Sequence, residues 1–90
     1  MTKSEKTTTN NLEASFSTLV LSIASSAAMA LGIAPNPVSG KIEKDLDMAR
    51  FNIDLLAMLE VKTKGNRNSD EDRFIETIIA DLKMKFVEAK

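Results

Sequence analysis

Carboxylates set close together are the first residues in this chain whose types and spacing suggest chemistry. Asp45 and Asp47 form one pair, and Asp70, Glu71 and Asp72 form an unbroken run. Such groupings can hold magnesium or move protons. Both sets, however, stand just before stretches of helical apolar periodicity. Acids there complement the unpaired N–H groups of a helix N-terminus, which accounts for them without a ligand. Ser39, two residues before Lys41, imitates a nucleophile–base dyad. Its neighbour Gly40 makes Ser39 a turn residue, and nothing around it resembles a hydrolase.

A sharper candidate is Lys62-Thr63-Lys64-Gly65-Asn66, with Arg67 just beyond. Lys62, Lys64, Asn66 and Arg67 together offer cations and an amide to an anion. Against that, the same residues read as the end of a helix. Lys near a C-terminus satisfies carbonyls and dipole, Gly65 reverses the chain, and a helix C-terminus repels anions. Structure is the leading account; an anion site shared with the start of the next helix is the alternative.

The chain has no Cys and no His. Disulfides, thiolate nucleophiles and zinc–sulfur sites are excluded together, and so are the hydrolase constellations that turn on an imidazole. We therefore expect no enzyme, no cofactor and no metal. A cysteine-free chain suits a reducing cytoplasm, and the expectation is a cytoplasmic protein. The net charge is −1, no basic cluster escapes dilution by acids, and there is no Trp or Tyr. Nucleic acid, which calls for clustered cations and stacking platforms, is not an expected partner.

Three elements must position these residues. Residues 1–14 are polar and unpatterned and read as a disordered tail; residues 15–88 read as one small helical domain. The first helix is expected from Ser15 to Leu31, stopped by Gly32. Phe16, Leu19, Val20, Ile23, Ala27, Ala30 and Leu31 make one stripe, while Ser15, Thr18, Ser22, Ser25 and Ser26 gather opposite. From Ala14 to Gly40 there is no charged side chain, although the chain carries 12 basic and 13 acidic residues. Ser22, Ser26 and Ala30 form a ladder of small residues that lets another backbone come close. The length would allow a membrane span, but the dense hydroxyls and the one-sided bulky residues argue for burial against protein. Pro35, Pro37, Ser39 and Gly40 mark an extended connector.

The second helix is expected from Leu46 to Lys64, with Gly65 in the left-handed conformation. It has two apolar sides. Leu46, Ala49, Ile53, Leu56 and Ala57 form one; Met48, Phe51, Leu55, Met58 and Leu59 form the other. Asp47, Arg50 and Asp54 divide them along one seam, and Asp45, Asn52 and Thr63 along the other. Two apolar sides require two partners. The third helix is expected to be capped by Ser69 and to bury Phe74, Ile75, Ile78, Ile79, Leu82 and Phe86.

These residues also carry a resemblance. The opening Phe16-Ser17-Thr18-Leu19-Val20-Leu21-Ser22, the Pro35-x-Pro37 connector with Gly40, the second-helix residues Asp45-Leu46, Ala49, Ile53-Asp54, Leu56 and Leu59, the segment Lys62 to Asn66, and Asp81-Leu82 resemble the short bacterial family catalogued as domain of unknown function 1844. The chain departs from the pattern at Asn36, where an acid is expected, and at Arg67, where an apolar residue is expected. The resemblance implies a small, cytoplasmic helical protein and supplies no catalytic residues.

The reading is an all-α protein: a helical hairpin plus a third helix, completed as a bundle by self-association, with a dimer favoured. Its expected role is a non-catalytic oligomerisation or protein-interaction module, another protein being the alternative occupant. The face expected to associate comprises Ser22, Ser26, Ala30, Met48, Phe51, Leu55, Met58 and Leu59. Membrane association through the first helix and anion binding at Lys62 to Asn66 are the competing functions.

Overall fold

The computed structural model describes residues 14–90; the tail expected to be disordered lies outside the described residues except for Ala14. Among the described residues there are three helices and no strand: α1 Phe16–Leu31, α2 Leu46–Lys62 and α3 Ser69–Ala89. The all-α expectation is met.

Local signals set each boundary. Ser15 caps α1, its hydroxyl accepting the Thr18 N–H at 3.1 Å. At the other end Gly32 takes φ +82°, so that its N–H reaches the Met29 carbonyl and the next N–H, from Ile33, reaches Ala28. A Cβ at that position would strain the left-handed backbone, which is why glycine stops the helix there. Asp45 caps α2 by accepting the Met48 N–H at 3.2 Å. Its own N–H donates to the Ala30 carbonyl at 2.8 Å, pinning the start of α2 to the last turn of α1.

Two boundaries differ from expectation. α2 ends at Lys62, two residues early: Thr63 still donates its N–H to the Leu59 carbonyl one turn back, at 3.0 Å, and adds its hydroxyl there at 2.7 Å, but the next N–H, from Lys64, falls short onto Val61 at 3.3 Å and breaks the ladder. Gly65 does adopt the left-handed conformation, at φ +87°, but inside the turn rather than directly after the helix. The cap of α3 is Asn68, not Ser69. Asn68 accepts the Glu71 N–H at 2.8 Å while the Glu71 carboxylate accepts the Asn68 N–H at 2.9 Å. This reciprocal box needs a long acid three residues after the cap. Had Ser69 been the cap, that position would fall to Asp72, which is shorter and is engaged by Arg67.

The helices run up, down and up. Ser26, Met29 and Ala30 of α1 face Met48 and Asn52 of α2, and Ile53 and Asp54 of α2 share a groove with Lys83, Phe86 and Val87 of α3. Lys44 secures the closure by donating to the Ala89 carbonyl at 3.0 Å. The core is formed by Val20, Ala24, Ala27 and Leu31 from α1, Ala49, Ile53 and Leu56 from α2, and Ile75, Ile79 and Leu82 from α3. All the fully buried positions of α2 and α3 except one lie on the expected stripes. Across its thinnest direction the Cα trace measures 15 Å. That is two helix layers, with axes about 10 Å apart.

On α1 the buried stripe is rotated from the expected one. Leu19 is 48% exposed, whereas Ala24 is buried. Alanines at 24, 27 and 49 let the helices approach closely, so the small residues take the centre and the bulky Leu19 is displaced to the flank. The exception on α2 is Asn52, expected on a polar seam but only 7% exposed. It tolerates burial by donating its amide to the Met48 carbonyl at 2.9 Å.

Leu56 is completely buried and Val38 is 94% exposed. Leu56→Ala should lower unfolding stability by about 2–5 kcal/mol through lost transfer energy and a cavity. Val38→Ala should change it by less than about 0.5 kcal/mol. Urea unfolding of both variants at one protein concentration measures the difference.

Candidate interaction surface

The acids that suggested chemistry are committed to helix ends. Asp45 caps α2, Glu71 closes the box at α3, and Asp72 pairs with Arg67 at 2.6 Å. Asp70 makes only a loose, exposed pair with Arg73 at 3.7 Å. Among the described residues no group of three acids converges as metal ligands do. Ser39 meets Lys41 through the backbone: its hydroxyl accepts the Lys41 N–H at 3.2 Å, a turn contact.

The connector is organised by Asn36, where the family pattern led us to expect an acid. Its side-chain oxygen accepts the N–H groups of Val38 and Ser39, at 2.8 and 3.4 Å. An acid could make both contacts. Only an amide can also donate, as Asn36 does to Glu43 at 3.5 Å. The loop closes with Gly40 N–H on the Asn36 carbonyl at 2.7 Å and Asn36 N–H on the Lys41 carbonyl at 2.8 Å.

At the other turn, the four residues considered for an anion divide. Lys62, Lys64 and Asn66 are exposed. The Arg67 side chain is only 9% exposed and points inward. Its guanidinium donates to the Glu60 carbonyl, to the Thr63 hydroxyl at 3.0 Å and to Asp72. Three of the last four carbonyls of α2 are thereby satisfied: Thr63 serves Leu59, Arg67 serves Glu60, and Lys64 N–H serves Val61 at 3.3 Å. Sequence reasoning grouped Arg67 with the lysines and missed this role. The available signal was Thr63 four residues before it and Asp72 five after, an acceptor on either side of one guanidinium.

Of the residues expected to associate, Ser26, Ala30 and Met48 are brought to one groove. Met48, Phe51 and Met58 are 47%, 54% and 47% exposed, with Leu55 half-buried between them. Leu59 instead divides its surface between this side and the core. Next to the α2 residues, Ser26, Met29 and Ala30 of α1 line a groove of about 240 Å³ with Met48 and the buried Asn52. The α1 hydroxyls turn back on their own helix, Ser22 to the Thr18 carbonyl at 2.9 Å and Ser26 to the Ser22 carbonyl at 3.3 Å. Their polarity is spent internally, leaving a low, uncharged surface.

Fold and surface together define a small three-helix protein with an uncharged α1 and an α2 that is apolar on both sides. The chain belongs to the family described as Domain of unknown function (DUF1844), whose model matches residues 13–88. No curated protein and no solved structure matches it.

Removing the inward guanidinium leaves the Glu60 carbonyl and Asp72 without their partner. Arg67→Ala should therefore cost about 1–3 kcal/mol, the scale for a buried hydrogen-bonding group left unsatisfied. Lys64→Ala, on the exposed side of the same turn, should stay within about 0.5 kcal/mol of the parent. Thermal unfolding of the two variants separates these roles.

Proposed function

We propose that this protein is a non-catalytic oligomerisation or protein-interaction module of the cytoplasm that associates through the outer side of α2 and the adjoining uncharged side of α1. The observation that carries the reading is the row Met48, Phe51 and Met58, each about half exposed on the same side of α2 whose opposite side is already buried. Isolated apolar residues on a surface are ordinary; a contiguous row beside a groove marks a place for another protein. The uncharged α1 extends this surface, since contact there strips water from no ionised group.

The competing readings have less support. Among the described residues no helix is long and apolar enough to cross a membrane. For an anion at the α2–α3 turn, the guanidinium that would bind it most strongly is already held by Asp72 and the end of α2.

Sedimentation at micromolar concentration should give a mass of two chains or more. Leu55→Lys, in the middle of the row, should weaken association at least ten-fold, whereas Arg50→Glu, to one side of it, should change it little. Equal effects would place the contact elsewhere, and a monomeric mass for the parent would remove the self-association reading.

A further inference from the structure

We infer that the occupant of this surface is a second copy of the chain whose α2 lies antiparallel to the first, with Met48 of each copy against Met58 of the other. The inference rests on the self-association reading above and adds the partner's direction and register.

The spacing supplies the first argument. Met48, Phe51, Leu55 and Met58 stand three, four and three residues apart, the alternation that seats knobs into holes along two packed helices. From Met48 to Met58 the row rises ten steps, or about 15 Å at 1.5 Å per residue. An antiparallel pair centred on position 53 matches Met48 with Met58 and Phe51 with Leu55, each contact occurring twice by symmetry. Every apolar member of the row then has an apolar partner.

Charge supplies the direction. α2 carries Asp45 and Asp47 at its start and Lys62 and Lys64 at and just beyond its end. A parallel pair would set Lys62 against Lys62 at the next position of the row and would align the two helix dipoles. The antiparallel pair brings Lys62 within one turn of the second copy's Asp45 and Asp47 and opposes the dipoles. Lys44, which would otherwise oppose Lys62, is held away by its bond to the Ala89 carbonyl at 3.0 Å. Asp54 falls close to the two-fold axis, yet it lines a groove together with Arg50, Lys83 and Lys90, which offset its charge.

The groove supplies the third argument. It opens beside Met48 and is lined by Ser26, Met29, Ala30 and Asn52, and also by the acids Glu43 and Asp45. In this register the side chain entering it is the second copy's Met58, an unbranched thioether that adapts to irregular space.

Because the chain has no cysteine, single thiols report the register directly. Met48→Cys and Met58→Cys replace half-exposed residues, so neither should disturb the fold. Each variant is purified, oxidised mildly alone, and oxidised again after the two are unfolded and refolded as an equimolar mixture. Native mass is measured in parallel. The expected result is a dimeric mass and at least ten-fold more disulfide-linked dimer in the mixture than in either variant alone, since a disulfide needs Cα atoms about 4.4–6.8 Å apart. Efficient linkage of each variant to itself would establish a parallel pair and overturn the inference. A dimeric mass with no linkage in any sample would also overturn it while leaving self-association standing. A monomeric mass would remove both.

Discussion

Burial of small side chains, Ala24 and Ala27 on α1 and Ala49 on α2, is the constraint on which the rest of this molecule depends. Ala27 and Ala49 are completely buried and Ala24 nearly so. No bulky residue could occupy those positions without pushing the helix axes apart. This packing has two results. It leaves room for only a short list of larger core residues, among them Val20, Leu56 and Ile75, so the domain is two helix layers thick. It also turns the larger side chains that do not fit, Leu19 on one helix and Met48, Phe51 and Met58 on the other, toward the flanks. The thin core and the apolar exterior are two aspects of one packing choice.

Polar groups serve nearby backbone at both ends of the bundle. Around the α2–α3 turn, side chains serve backbone groups: Arg67, drawn inward, serves Glu60, Thr63 serves Leu59, and Asn68 and Glu71 each accept the other's N–H at the surface. Around the α1–α2 connector, the Asn36 amide oxygen and the Asp45 carboxylate do the same work as acceptors of backbone N–H groups. On α1 the hydroxyls of Ser22 and Ser26 bond to their own helix. A polar residue here completes the local backbone before it serves anything further away. That is why acids and cations that look chemical in the sequence turn out to be caps and clamps.

Much of this was legible in the sequence, and the reasons are physical. Helix period fixed the inner stripes of α2 and α3 because those stripes hold large apolar residues at regular spacing. It misplaced the stripe of α1, since the hydrophobic weight of Leu19 exceeds that of Ala24 although alanine is what close packing selects. Asn52 was assigned to a seam because residue type predicts exposure, while its amide in fact reaches a carbonyl one turn back. The outer row of α2 was legible as a surface in need of cover. What covers it was not, because complementarity belongs to two surfaces and the sequence presents one. The clamp by Arg67 was hidden for a different reason: its partners lie on both sides of it, and only the folded turn brings them to one guanidinium.

The hydroxyl-rich surface of α1 has a bearing on the order in which the chain is made. α1 leaves the ribosome before α3, which supplies Ile75, Ile79 and Leu82 and follows only after several seconds at about 5–20 residues per second. During that interval Val20, Ala27 and Leu31 have no complete cover. A helix of this length faced with leucine all round would be a target for holdases and for its own neighbours. Serines whose donors are used along the helix still present oxygen lone pairs to water, which wets the nascent segment without adding a charge that would later have to be dehydrated. The same residues that flatten the finished surface thus also serve the unfinished one.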